Sequence, residues 1–343
     1  MATWRGVATW GLMFLVIAGG GRTVVGAQDA TSPPDIRPYA PGADLGSLRG
    51  RVVADGSSTV WLVTNDIAES FGALAEDVAI DLEISGTSGG FRRFCAGASD
   101  VQNASRAIAE DERGACATAG VAYHAFEIGF DGITVVVARN NDFVDCLTVD
   151  QLRLLWRPDD PATSWRDLDP TWPDREIDLY GPSEDSGTFD YFTAQVVGEE
   201  GASRLDYTDS EIDDLLVRGV GSSADGLGYF GYAYYEQSPE ELRAVAVDAG
   251  AGCVAPSPRT IADGTYRPLS RPLYVYVNRA SLARPEVAEF MRFYLASARE
   301  VVEIVGYVPT GDATYAANQG EFDAAIAGTA PPDGPAPAGT PVP

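Results

Sequence analysis

Three short stretches of this chain put serine, threonine and glycine where an apolar strand turns into a helix: Ser57-Ser58-Thr59, Ser85-Gly86-Thr87-Ser88-Gly89-Gly90 and Ser186-Gly187-Thr188. A helix start leaves its first backbone N–H groups without intrahelical acceptors and carries the positive end of the helix dipole. An oxyanion seated there gains several donors at once. Hydroxyls add further donors, and glycine lets the backbone come close. Each turn by itself also reads as an ordinary helix cap. Three of them, each at the carboxyl end of a strand, are able to converge on one ligand, and the chemistry they offer is anion capture.

The elements that must position these turns follow from periodicity. Strands are predicted from Val52, over residues 78–84 and around Ile177, Leu179 and Tyr180; helices are predicted over 60–71, from Phe91 and over 189–197. Alternation of this kind predicts α/β architecture, a mostly parallel sheet flanked by helices. Two β-branched runs, 132–138 and 271–278, stand about a domain's length apart and read as two hinge strands joining two lobes. Lobe I then comprises 47–136 and 272–328, and lobe II 137–271; a single large α/β domain is the alternative. Within lobe II, residues 158–173 read as an ordered loop pinned by Trp165 and Trp172, and 226–235 as an aromatic strand. Residues 285–302 carry helical spacing.

Composition excludes several functions. The chain has 343 residues and a net charge of -26, which opposes binding to nucleic acid or an anionic membrane surface. All 24 basic residues are arginine, so neither a nucleotide-hydrolase phosphate loop nor a Schiff-base lysine is present. Arg5, the apolar run 12–18 and the small residues around Ala27 predict a cleaved signal peptide over 1–27 and an exported protein, periplasmic or at the cell surface. Residues 28–46 read as a flexible linker, and 329–343 as a disordered tail rich in Pro, Ala and Gly. Cys95, Cys116, Cys146 and Cys253 suggest two disulfides with three pairings open; Cys95–Cys116 with Cys146–Cys253 would keep each bridge within one lobe. His124, the sole histidine, reads as a surface or strand-edge residue. No cluster has metal-ligand spacing, so no metal, no cofactor and no catalysis are expected.

The cradle Gly181 to Phe192, the turn Gly56-Ser57-Ser58-Thr59, the loop Ser85 to Gly90 and the segment Asn103-Ala104-Ser105-Arg106 together resemble the phosphate-binding component of bacterial high-affinity phosphate ABC importers. Gly228-Tyr229-Phe230-Gly231-Tyr232 and Pro268-Leu269-Ser270-Arg271-Pro272-Leu273 also look like that family, and the similarity runs from about Arg51 to Val308. The resemblance implies a two-lobed periplasmic-binding-protein fold that closes on one inorganic phosphate; the alternatives are another oxyanion, such as sulfate or molybdate, or a phosphate-sensing module, with a phosphatase behind them. It implies a monomer whose partners are the permease and ATPase subunits of an ABC transporter. By motif match the ligands would be Ser58, Thr59 and the amide of Val60, then Thr87 and Ser88, then Ser186, Gly187 and Thr188. Two positions depart from the family: Arg106 stands where it carries an aspartate, and Pro182 where it carries an arginine. The expected exchange makes Arg106 the bidentate cation and Asp185, or Glu184, the acceptor of the phosphate proton. Such a carboxylate would repel sulfate, which has no proton to donate. Arg92 and Arg93 are expected to be exposed helix charges.

Overall fold

The computed structural model describes residues 35–184 and 186–328. The signal peptide, the tail and Asp185 lie outside them. Thirteen strands are present among the described residues: β1 (Gly50–Gly56), β2 (Val78–Leu82), β3 (Val101–Ala104), β4 (Tyr123–Ala138), β5 (Cys146–Thr148), β6 (Asp178–Gly181), β7 (Thr208–Asp209), β8 (Gly226–Gly231), β9 (Leu242–Ala244), β10 (Ala246–Asp248), β11 (Cys253–Val254), β12 (Ser270–Asn278) and β13 (Val308–Pro309). The α-helices are α1 (Ser58–Gly72), α2 (Gly86–Cys95), α3 (Glu110–Ala119), α4 (Val149–Trp156), α5 (Trp165–Leu168), α6 (Gly187–Phe192), α7 (Asp213–Ser222), α8 (Tyr232–Glu236), α9 (Pro258–Ala262), α10 (Pro285–Ile304) and α11 (Asp312–Ile326).

The main sheet runs β2-β1-β3-β12-β4-β8-β6-β7, with β9 and β13 also paired to β4. β1 is parallel to β2 and β3, and β6 is parallel to β8 and β7. The two parallel groups are joined by antiparallel strands. β4 belongs to both: Tyr123 to Gly132 pair with β12, and Ile133 to Val137 pair with β8. From Asp131 to Ala138 every residue of β4 is buried, as suits a strand covered on both faces. The apolar core divides at the same place. One cluster contains Phe126, Ile128, Leu273 and Val275, and another contains Ile133, Val135, Leu227 and Leu269. The fold is thus α/β with two lobes joined by two crossing strands. A three-stranded sheet, β11-β10-β5, stands apart from the main one.

Helix α1 shows how packing fixes the site. Val60, Val63, Thr64, Ile67, Ala68 and Phe71 recur three or four residues apart and are all buried, against Phe290, Met291 and Tyr294 of α10. Burying each large apolar side chain contributes roughly 1.5–3 kcal/mol, which holds the first turn of α1 firmly at the carboxyl end of β1.

Several elements differ from the sequence reading. Residues from Tyr232 form α8 rather than continuing the aromatic strand of β8. The predicted helix over 189–197 begins at Gly187 and passes into a π-helix over Thr193–Val197. The supposed linker is docked where it is described: Arg37 exchanges two hydrogen bonds with the Gln319 side chain, Tyr39 packs edge-on against Phe293, and Gly42 N donates to Glu289. His124 is fully buried in β4, its Nδ1 3.0 Å from Glu321 Oε1, instead of lying at the surface. The disulfides are Cys95–Cys116, tying α2 to α3, and Cys146–Cys253, tying β5 to β11.

Candidate functional site

The first two turns share a brace. Gln102 and Asn103 of β3 are fully buried; Ser57 N donates to Asn103 O at 2.9 Å, and Gln102 Nε2 donates to Thr87 O at 3.1 Å. Gly56 has φ +127°, and a Cβ there would stand 2.2 Å from Asn103 O, so only glycine lets β1 end against β3. Asp55, fully buried, receives Ser85 Oγ at 2.9 Å and the Arg93 guanidinium at 2.9 Å, which ties the second turn to the first.

These turns open onto a cleft of about 740 Å3. Ser58 and Thr59 from α1, Thr87 and Ser88 from α2, Ser105 and Arg106 after β3, and Gly187 from α6 all line it. Neither Ser57 before α1 nor Ser85 before α2 caps its helix through its side chain, so the first-turn amides of two helices are left for an incoming acceptor. The third turn approaches closely. A Cβ at Gly187 would lie 3.3 Å from both Ser58 Oγ and Thr59 Oγ1. Ser186 Oγ accepts from Thr188 N at 3.2 Å, which caps α6. Ser186 and Thr188 are half-buried and do not line the cleft, and the Val60 side chain is in the core, leaving its amide as the relevant group.

At the centre stands Arg271, a residue quoted above only within a motif. Its Nη2 donates to Thr59 Oγ1 at 2.5 Å, and its Nε lies 3.1 Å from Asp131 Oδ2. The Arg271 side chain is 14% exposed and that of Asp131 2%, so this ion pair is largely desolvated. Thr59 Oγ1 accepts from Arg271, which leaves its own hydrogen free to point at a ligand. The guanidinium also lies over the Tyr191 ring. Tyr307 donates to Thr59 O at 3.2 Å and closes the other side of the turn.

Arg106 is engaged differently from the expectation. Its Nη1 and Nη2 form a two-pronged pair with Glu112 at 2.8 and 2.7 Å, and Nη2 also donates to Ser88 Oγ at 2.8 Å. The Glu112 hydrogen bonds raise the Arg106 pKa, against burial, which lowers it. Arg106 therefore presents its charge to the cleft while its fork is held by a neighbour. Glu184 is exposed and does not line the cleft, whereas Asp190 does. Burial raises the Asp190 pKa, the charge of Glu200 adds to this, and Arg271 opposes it. Among the described residues no group of three or more His, Cys, Asp or Glu is arranged to hold a metal ion, and no helix is long and apolar enough to cross a membrane.

Residues 40–298 match the model of the PBP superfamily domain. The chain is 44% identical over 281 residues to protein SphX of Synechocystis sp., a match covering 81% of this chain and 84% of the relative. It is 37% identical to the phosphate-binding protein PstS of Staphylococcus saprophyticus, covering 82% and 87% of the two chains. The crystal structure of a possible phosphate binding protein from Planctomyces limnophilus superposes with a TM-score of 0.78 at 41% identity, covering 82% of this chain and all of the other.

Proposed function

Since the chain belongs to the PBP superfamily and, within it, to the SphX and PstS proteins, we propose that it captures inorganic phosphate between its lobes and delivers it to the permease and ATPase subunits of an ABC importer. The observation that carries this reading is the meeting of Thr59 with Gly187 across the cleft, with the Arg271 guanidinium on the Thr59 hydroxyl. In the proposed complex the amides of Thr59, Val60 and Gly187 and the hydroxyls of Ser58, Thr59, Thr87 and Ser88 donate to phosphate oxygens. Ser186 and Thr188 act through the α6 start. Arg271 supplies the near charge, and Arg106 the outer one. Closure removes water, and in the drier cleft each charge-assisted hydrogen bond strengthens.

The proton of phosphate needs a carboxylate acceptor, and Asp185 and Asp190 are the two proposed. Asp190 is supported by its place in the cleft. A buried carboxylate facing sulfate would find no proton to accept and would repel the anion, which is how the site would select phosphate. Binding rather than hydrolysis is supported by the seclusion of His124, engaged with Glu321 and outside the cleft. We further propose that the protein acts outside the cytoplasm as a monomer, with lobe I formed by 47–136 and 272–328 and lobe II by 137–271.

Calorimetric titration tests this. The protein, stripped of ligand by partial unfolding and refolded, is titrated near neutral pH with phosphate and separately with sulfate. Tight binding of phosphate without sulfate is expected. Binding of sulfate alone would reassign the ligand, and binding of neither would reject the transport reading. Asp185→Asn and Asp190→Asn are compared in the same experiment, and the acceptor is the one whose loss admits sulfate.

A further inference from the structure

The cleft exceeds the needs of one phosphate. Its volume of about 740 Å3 falls within the roughly 300–1,000 Å3 of sites that enclose a drug-sized ligand. A four-oxygen anion displaces on the order of four waters, at roughly 30 Å3 each. The lining of the cleft also includes two further arginines, Arg92 on α2 and Arg267 just before β12, one from each proposed lobe. Arg92 Nη2 lies 3.6 Å from the position of a Cβ on Gly89, next to Ser88. Arg267 Nε donates to Gly264 O at 2.7 Å.

Neither arginine has a carboxylate partner among the described residues, although most arginines of the chain do, including Arg93 beside Arg92 and the two arginines assigned to phosphate, Arg106 and Arg271. In a chain with 50 acidic residues a carboxylate is seldom far away. Two unmatched guanidinium groups facing one cleft from opposite lobes are suited to an anion with a second charged group. Asp190 and Glu200 also line this cleft, which therefore carries groups of both signs.

We propose that the cleft also takes a condensed phosphate, namely an inorganic diphosphate, with one phosphoryl group at the α1 start and the second between Arg92 and Arg267. This rests on the phosphate reading above and extends it to a second ligand class.

The test is titration with phosphate, diphosphate and glycerol phosphate in metal-free buffer, for the native chain and for R92Q/R267Q. Diphosphate is expected to bind and to compete with phosphate, while the double variant weakens diphosphate by about tenfold and phosphate by less than about twofold, as exposed charges do for a ligand they do not reach. Phosphate binding with no diphosphate binding overturns the proposal and leaves the phosphate reading intact. Equal loss for both ligands overturns it by putting the rim arginines in the phosphate niche, and glycerol phosphate binding as tightly as diphosphate overturns the need for a second charge. Failure of all three ligands rejects the phosphate reading itself.

Discussion

The Arg271 guanidinium carbon stands 3.8 Å from the centroid of the Tyr191 ring. Tyr191 lies on α6, and its hydroxyl donates to Pro268 O at 2.7 Å and Ser270 O at 3.1 Å. One side chain thus links α6 to the start of β12 and supports the arginine that reaches Thr59 on α1. Tyr191→Phe keeps the ring under Arg271 and removes only the hydroxyl. We expect a stability loss of about 1 kcal/mol and a phosphate affinity lowered several-fold, by thermal denaturation and calorimetry. Unchanged affinity would confine the hydroxyl to a structural role.

Arg271→Gln should cost more than Arg106→Gln. The first removes the central cation and strands Asp131, which is 2% exposed, without its partner. The loss of a charged hydrogen-bond partner, roughly 1.5–3 kcal/mol, corresponds to about ten- to a hundredfold in phosphate affinity. Leaving the carboxylate alone should also lower stability by roughly 3–5 kcal/mol. Arg271→Gln combined with Asp131→Asn should recover stability and not binding. Arg106→Gln leaves Thr59 and Asp131 undisturbed, and equal affinity losses in the two single variants would refute this ranking.

Gly187→Ala isolates closure. Its added methyl group would stand 3.3 Å from Ser58 Oγ and from Thr59 Oγ1, where phosphate oxygens are proposed to sit between the lobes. We expect at least about a tenfold loss of phosphate affinity, roughly 1.4 kcal/mol, with little change in melting temperature of the ligand-free protein, because alanine is a good residue inside a helix. A variant that binds as well as the native chain would show that the lobes need not approach so closely.

Asp213 makes stability depend on pH. Burial, helped by the charge of Glu211, pushes its pKa from 3.8 up to about 6. The folded state then holds a proton that the unfolded state releases, so stability falls as pH rises from about 4 to 6 and levels off above that. Asp213→Asn should flatten this slope, by on the order of 2 kcal/mol across the window. Denaturation in urea at several pH values measures it, and an identical slope in the variant would contradict the assignment.

The positions of the turns were legible in the sequence because capping residues, strand periodicity and helix periodicity are local. The turns that carry Ser58, Thr59, Thr87, Ser88 and Gly187 were located in this way, the individual residues came from the family resemblance, and all five line one cleft. Arg271 was not, because what gives it a role is non-local: its carboxylate partner lies 140 residues away on β4 and its hydroxyl partner 212 away on α1. Arg106 illustrates the converse. Its place beside Ser105 pointed to the cleft, but Glu112, only six residues on, already occupies its fork. Burial of His124 was likewise invisible, since Glu321, its partner, comes from the far end of the chain.

β4 and β12 are paired from Tyr123↔Asn278 to Gly132↔Ser270, and Ile133 N continues the ladder by donating to Leu269 O at 2.9 Å. The two crossings between lobes are therefore one hydrogen-bonded ribbon rather than two independent tethers. A ribbon of this kind resists stretching and shear, which would break its rungs, and accommodates twist most readily. Rotation of one lobe against the other loads it as a torsion spring. On the proposed reading, how long phosphate resides in the cleft then depends on the stiffness of the same ribbon that carries Arg271 into it.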